Sequence, residues 1–348
     1  MEHIANVLRT IPSYVDRIYA IDDASSDATW EQMRTAAREI NERTTDGSTI
    51  GLRRVIPIRH RTNKGAGGAV ISGYEHALAD GIDVIAVMDG DGQMDPADLD
   101  RIIDPVVRGE AAYAKGERLR QSTNRQSMSR WRVFGNWLLT ALTRISSGYW
   151  EMSDPQNGYT AISHEALARI PLQDLYQQYG FLNHLLVHLN MNRERIADVP
   201  HVARYGTELS GIRYRTFVPG LSWLLLTAYI KRLIQQYLVR RLNPIVSYYP
   251  VGILSILIGI IGFGLTVSTP DVPTVGGVLL SGLFVLGGFH LLIEAMGHDV
   301  EENADLVEIY PPTRERTDWR PVVAAPQPVE SFHGEMAGDG GEQLAKQE

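Results

Sequence analysis

The sequence contains no cysteine. Disulfides and thiolate metal sites are therefore excluded, and any bound cation has to be held by oxygen or imidazole. Lysine is nearly as scarce, with four among the 33 basic residues. Before Gly297 the chain also lacks net charge of either sign. From Gly297 onward it carries 12 acidic and 4 basic residues, which accounts for the whole net charge of −8. The other 29 acidic and 29 basic residues cancel, so composition argues for no nucleic-acid partner.

What is present is enough for one large domain with an appendage: 348 residues, 44% of them hydrophobic. Over residues 1–200, short apolar runs alternate with helical patterns. Arg17–Ile21, Val55–Ile58 and Val84–Met88 read as buried strands, and Ala28–Ile40 and Ala66–Ala79 as helices. Strand, turn and helix in regular succession predict an α/β fold with a mostly parallel sheet covered on both faces. Ligands of such sheets bind at the carboxyl ends of strands.

The C-terminal third is different. Ile245–Val267 is 23 residues without a charge, and Val272–Ile293 is another 22. Each can cross about 30 Å of hydrocarbon, and the short Pro-containing turn Ser268–Thr274 between them predicts a transmembrane hairpin. Lys231, Arg232, Arg240 and Arg241, interleaved with Trp223, Tyr229 and Tyr237, mark a cytosolic interface ahead of the first span. Leu221–Val239 reads as an amphipathic helix on the membrane surface, or else as an ordinary domain-capping helix. The expected organisation is a catalytic domain over 1–217, an interfacial helix over 218–243 and a hairpin over 244–296 with spans at 245–267 and 272–294. An acidic tail over 297–348 follows, largely disordered beyond Pro321. No signal peptide is visible, so the expectation is a two-pass cell-membrane protein with its domain and tail both cytosolic.

The chemistry concentrates at strand ends. Val84-Ile-Ala-Val-Met-Asp89-Gly90-Asp91-Gly-Gln93-Met-Asp95-Pro96 delivers two carboxylates one residue apart. On an extended segment side chains two apart face the same way, so Asp89 and Asp91 can converge on one hard cation that keeps positions open for phosphate oxygens. A solvated acidic turn is the plain alternative. A second strand ends in Asp22-Asp23-Ala-Ser-Ser-Asp27-Ala-Thr29. Its polar residues can cap the following helix, and two carboxylates can also accept hydrogen bonds from a base N–H or ribose hydroxyl. Third, Asn63-Lys64-Gly65-Ala-Gly-Gly68 opens a helix, which suits either an anion at its N-terminus or simply close packing. His184 and His188 stand at i, i+4 without the Glu of a zinc motif and read as a helix face. Glu294 sits near the cytosolic end of the second span and reads as interfacial.

In this order and spacing the motifs resemble those of the family-2 glycosyltransferases, most closely the dolichyl-phosphate mannose/glucose synthase branch. Asp22 to Thr29 resembles the D-D-G-S-x-D-x-T segment, and Gly65 to Ala77 the G-x-G-x-A-x-x-x-G-x-x-x-A helix. Asp89 to Pro96 resembles the D-x-D strand end. Ala114-Lys-Gly116-Glu-Arg118 is similar to a G-S-R segment with Glu in place of Ser. Asp154-Pro-Gln-Asn-Gly158-Tyr, Tyr179-Gly-Phe-Leu-Asn183 and Val199-Pro-His-Val-Ala-Arg204-Tyr-Gly206 are similar to later motifs. The resemblance covers residues 2–220.

It implies a GT-A fold and an inverting displacement at the anomeric carbon. It also implies that Asp22 and Asp23 hold the nucleoside of a UDP- or GDP-sugar, with Lys64, Gly65 and Gly90 beside the donor. Asp89, Asp91 and Gln93 would place Mg²⁺ or Mn²⁺ on the diphosphate. Arg118, Arg130 or Arg132, and Arg204 would grip phosphates with their guanidinium forks. Asp154 would be a general base for a hydroxyl nucleophile, whereas an ionised phosphate acceptor needs none. The implied acceptor is a polyprenyl (dolichyl) phosphate in membrane lipid; transfer to a lipid-linked saccharide is the second enzymatic reading, and a non-catalytic scaffold with a transferase fold the third. The family begins with a strand ending in a P-x-Y-N-E-type turn, whereas Met1-Glu-His-Ile-Ala-Asn resembles the helix after it. The first, inner strand is therefore expected to be missing from this sequence.

Overall fold

The three apolar runs form strands within a residue of their expected limits: β1 (Ile18–Asp22), β2 (Val55–Arg59) and β3 (Val84–Val87). This computed structural model describes residues 3–45, 53–117, 130–201, 214–241, 243–269 and 274–310, with some side chains in 44–45, 130–136, 214–219 and 274 excepted. Residues 297–310 belong to the main unit, and the remainder of the acidic tail lies outside the described residues.

Helices α1 (His3–Thr10) and α2 (Thr29–Thr45) flank β1, which pairs in parallel with β2. Leu8, Ile18, Ala20, Met33, Ala36 and Val55 bury a small core between them. After α3 (Ala66–Ala79) and β3 come α4 (Leu99–Val107), β4 (Tyr113–Glu117), α5 (Arg130–Ser147), β5 (Thr160–Ser163) and α6 (His164–Ala168). Then follow α7 (Phe181–Met191) and β6 (Ile196–Pro200). The second sheet has the order β3-β5-β4-β6-β7, with β7 at Val307–Ile309. Strands β4, β6 and β7 are parallel neighbours, while β5 runs antiparallel to both β3 and β4, so the sheet is mixed. Among the described residues β1 and β3 share no ladder, and the strands divide into these two sheets.

The period-2 alternation of strands sorts the core. Tyr113, Ile162 and Ile196 face one layer with Tyr74, Leu185 and Leu306, while Ala114, Ala161 and Ala197 face the other with Leu99, Ile102 and Val106. Helix α3 bridges the two sheets: Arg17 pairs with Asp80 at its end at 2.5 Å, and Tyr74 packs on Phe181 with ring centroids 6.3 Å apart.

Helix α8 (Tyr214–Leu233) continues as a π-helical stretch, Ile234–Arg240, in place of the single helix expected to Val239. It buries Leu221, Leu225, Ala228 and Arg232 and exposes Trp223, Leu226, Ile230, Ile234 and Leu238. Two long apolar helices follow, α9 (Ile245–Ser268) and α10 (Thr274–Asn303). Both are long and apolar enough to cross a membrane, with mean hydropathies of 2.3 and 2.0 over an 18-residue stretch of each. They meet through small residues, as membrane helices do. A Cβ on Gly288 would lie 2.6 Å from the Gly252 carbonyl oxygen, and one on Gly259 2.6 Å from that of Ser281.

The end of α10 departs from the expected boundary. The helix runs about two turns past the apolar span, and β7 then joins the edge of the catalytic sheet beside β6. The first part of the expected tail is thus helix to Asn303 and then strand over Val307–Ile309, closed by a Tyr310–Glu110 hydrogen bond.

Candidate active site

Strand direction decides which residues meet. Because β5 is antiparallel to β3 and β4, its first residue, Thr160, lies beside Val87 at the end of β3 and Lys115 near the end of β4, while Glu117 of β4 pairs with Pro200 of β6. One edge therefore collects Asp89 and Asp91 after β3, Glu117 closing β4, Asp154–Gly158 entering β5 and His201 after β6.

Asp89 is exposed, and its carboxylate rests against the entry loop to β5; a Cβ on Gly158 would lie 3.3 Å from its Oδ2. Its backbone N–H points to the Met94 sulfur at 3.2 Å. Asp91 accepts the Gln93 backbone N–H at 2.9 Å, an Asx turn made possible by Gly92 at φ +80°. Gly90 is exposed, with Ile4 of α1 on one side of it: a Cβ there would fall 2.9 Å from Ile4 Cδ1. Among the described residues no three His, Asp or Glu side chains converge into a self-sufficient cation site. Asp89 and Asp91 supply two hard oxygen donors, a set that fits Mg²⁺ or Mn²⁺ sharing its other positions with diphosphate oxygens and water.

Asp154 is 4% exposed and holds a left-handed backbone at φ +34°. A non-glycine residue persists there only when its surroundings over-determine it. They do so through Lys115 and Asp198, a buried ion pair at 2.7 Å between β4 and β6. Lys115 Nζ also donates to the carbonyls of Ser153 and Asp154, and Asp198 Oδ2 accepts the Ser153 N–H at 2.6 Å and its hydroxyl at 2.8 Å. Asn157 donates to the Gly116 carbonyl at 2.7 Å and lies 2.8 Å from His201 Nε2, pinning the other end of the loop. Sequence reasoning missed Lys115, Ser153, Asn157 and Asp198 as site-builders. The available signal was a charge inside each of two buried strands, since such residues are almost never buried unpaired.

Asp22 and Asp23 close β1, but Asp23 is already engaged. Its two oxygens accept the backbone N–H groups of Lys64 and Gly65, each at 2.8 Å, and Oδ1 lies 2.6 Å from His60 Nδ1. Burial pushes its pKa up, but the His60 bond and the two backbone N–H groups outweigh this and hold it below the usual carboxylate value. The carboxylate thus occupies two backbone donors just ahead of α3. The glycines there serve close packing: a Cβ on Gly65 or Gly67 would fall within 2.8 Å of the Gln177 backbone oxygen. Asp22 is 2% exposed and pairs with Arg59 at 3.1 Å. Lys64 is exposed.

Arg118 and Arg204 lie outside the described residues. Arg130 and Arg132 fall in the first turn of α5, but their side chains lie outside that description.

Residues 2–170 match Glycosyl transferase family 2. Over 220 residues the chain is 30% identical to the UDP-N-acetylglucosamine–dolichyl-phosphate N-acetylglucosaminyltransferase of Methanococcus voltae, covering 63% of this chain and 87% of that one. The chain belongs to glycosyltransferase family 2. Another relative is the undecaprenyl-phosphate mannosyltransferase of Micrococcus luteus, 30% identical over 53% of this chain and 70% of its own. Among solved structures, glucosyl-3-phosphoglycerate synthase from Mycobacterium tuberculosis, in complex with Mn²⁺, UDP-glucose and phosphoglyceric acid, aligns with a TM-score of 0.44. It is 18% identical, covering 66% of this chain and 74% of that one. The protein is thus a family-2 glycosyltransferase of GT-A fold, followed by two apolar helices capable of spanning a membrane.

Proposed function

We propose that this glycosyltransferase moves a sugar from a UDP- or GDP-sugar to a polyprenyl phosphate, with inversion, at the cytosolic face of the membrane. The observation that carries the reading is the return of the apolar hairpin into the catalytic sheet through β7, hydrogen-bonded to β6. A site tethered at both ends of a hairpin stays beside the bilayer, to which a lipid acceptor is confined; a soluble acceptor requires no such tether. The relatives' names, which specify dolichyl and undecaprenyl phosphate acceptors, support the same acceptor class.

In this reading the strand-end carboxylates Asp89 and Asp91 hold Mg²⁺ or Mn²⁺ on the donor diphosphate, with Gln93 fixing the turn. The ion supplies charge neutralisation for the departing nucleoside diphosphate. Asp22 and Asp23 would hold the nucleoside, Asp22 with Arg59 as its partner and Asp23 bound to the Lys64 and Gly65 N–H groups. Arg118, Arg130 or Arg132, and Arg204 bind phosphate groups of donor and acceptor. A phosphate nucleophile arrives ionised, so Asp154 orients groups and abstracts no proton.

The test is product analysis with purified dolichyl or undecaprenyl phosphate and a panel of UDP- and GDP-sugars. A mild-acid-labile monosaccharide phospholipid is expected. A product formed only on a lipid-linked saccharide would replace this reading with the second one. Asp154→Asn separates them too: it should weaken transfer to phosphate and abolish transfer to a hydroxyl.

A further inference from the structure

At the junction of hairpin and catalytic domain lies a buried charged cluster that the chemistry above does not use. Arg232 and Asp299 are both fully buried. Arg232 sits where α8 gives way to the π-helical stretch, ahead of the outgoing span, and Asp299 sits on α10 after the returning one. They form a bidentate pair at 2.9 and 2.8 Å. Tyr237 donates to the same carboxylate at 2.5 Å, and Gln236, Asn190 and Asn303 extend the network onto α7.

The pair also reaches the catalytic loop. Arg232 donates to the carbonyls of Ser146 and Ile145 at the end of α5, at 3.0 and 3.2 Å. Trp150 Nε1 donates to Asp299 Oδ2 at 3.0 Å, four residues before Asp154. Gly148, at φ +77°, gives up its side-chain space to the Arg232 guanidinium. Arg144 then holds the Met152 carbonyl at 2.6 Å. A cation on the C-terminal carbonyls of α5 is favourable in itself, but that needs neither a second charge from the hairpin nor an indole from the loop.

We infer that Arg232, Asp299 and Trp150 are positioning residues that register the Tyr149–Asp154 loop with the membrane hairpin, so that the lipid phosphate meets the donor at a fixed height. This rests on the polyprenyl-phosphate reading. Breaking a buried pair outright endangers folding, so the variant is Trp150→Phe, which keeps a ring and removes one donor to Asp299.

The full chain is reconstituted in phosphatidylcholine/phosphatidylglycerol vesicles carrying undecaprenyl phosphate, and donor binding is titrated separately. In Trp150→Phe, kcat/KM for the lipid phosphate should fall about tenfold, the worth of a hydrogen bond to a charged group, with donor Kd unchanged within about twofold. Amide exchange over 147–154 should quicken while β3 and β4 keep their protection. Lipid transfer at the wild-type rate, or donor binding lost in step with transfer, overturns the proposal. If the wild-type chain glycosylates no polyprenyl phosphate with any donor, the acceptor reading falls and this inference with it. A wild type that makes the lipid product and a variant that matches it sink the inference alone.

Discussion

Lys115 and Asp198 face each other as register partners on the parallel strands β4 and β6, and their charged groups meet at 2.7 Å with each side chain 1% exposed. Both also bind the backbone of Ser153, so the pair fixes the residue next to Asp154. Removing one partner leaves the other charge buried and alone. Lys115→Met or Asp198→Leu should therefore lower unfolding free energy by about 3–5 kcal/mol in denaturant titration. The double variant should recover most of that stability, because two apolar groups of similar volume carry no desolvation penalty. It should not recover activity, since Ser153 has lost its anchor. Full activity in the double variant would show that the pair serves stability alone.

Asp91 offers a clean separation of charge from shape. Its Oδ1 closes the turn with the Gln93 N–H, a bond that Asn can also accept. Asp91→Asn should leave thermal stability unchanged while lowering turnover by about 10²–10³, the scale of losing one preorganised charge partner of the transition state. Asp91→Ala should further abolish Mg²⁺- or Mn²⁺-dependent binding of the nucleotide sugar, measured by calorimetry. Normal turnover in both variants would remove the metal assignment.

The elements legible in the sequence were those with local signatures. β1, β2, β3 and α3 carry apolar runs or small-residue periodicity, and they fall where that pattern puts them. β5 is four residues, Thr-Ala-Ile-Ser, with no alternation strong enough to announce a strand; it exists because β3 and β4 pair with it on both sides. β7 is three residues in an acidic stretch, placed by a partner more than a hundred positions away across the hairpin. No local pattern encodes such a contact. The carboxylates of the candidate site were visible because they follow strands. The loop that holds Asp154 was not, because its supports come from β4 and β6. Ala24 shows the limit of motif matching: it stands where the family segment has Gly and adopts φ +61°, a conformation that costs a residue with a Cβ about 1–2 kcal/mol.

The absence of cysteine makes the proposed topology directly measurable, because every introduced thiol is unique. Ser268, at the far end of α9, and Glu301, on the catalytic-domain side of α10, are both exposed. With a cytosolic catalytic domain, Ser268→Cys should react with an impermeant maleimide on intact cells, and Glu301→Cys only after lysis. The reverse pattern would place the domain outside. Labelling of both thiols in intact cells would reject a spanning hairpin.

His184 and His188 give the catalytic domain an acid limit. The rings pack edge to face 4.8 Å apart on α7, and His184 Nδ1 accepts the Tyr176 N–H. Burial first, then mutual repulsion for His184 and the nearby Lys231 charge for both, push each pKa down to about 4; Asp174 opposes this weakly. In the unfolded chain each would titrate at about 6.5. Between those values the unfolded state binds more protons, so stability is complete above pH ~6.5 and is lost as pH falls toward 4. Urea midpoints of the solubilised protein, taken from about pH 7.5 down to about pH 4.5, should therefore decline in that window. Replacing both residues, His184→Gln with His188→Leu, should flatten this part of the profile. The variant also loses an edge-to-face pair, so its midpoint at pH ~7.5 should be lower than the wild type's while its slope is shallower. An unchanged slope would show that this histidine pair does not set the acid sensitivity in that window.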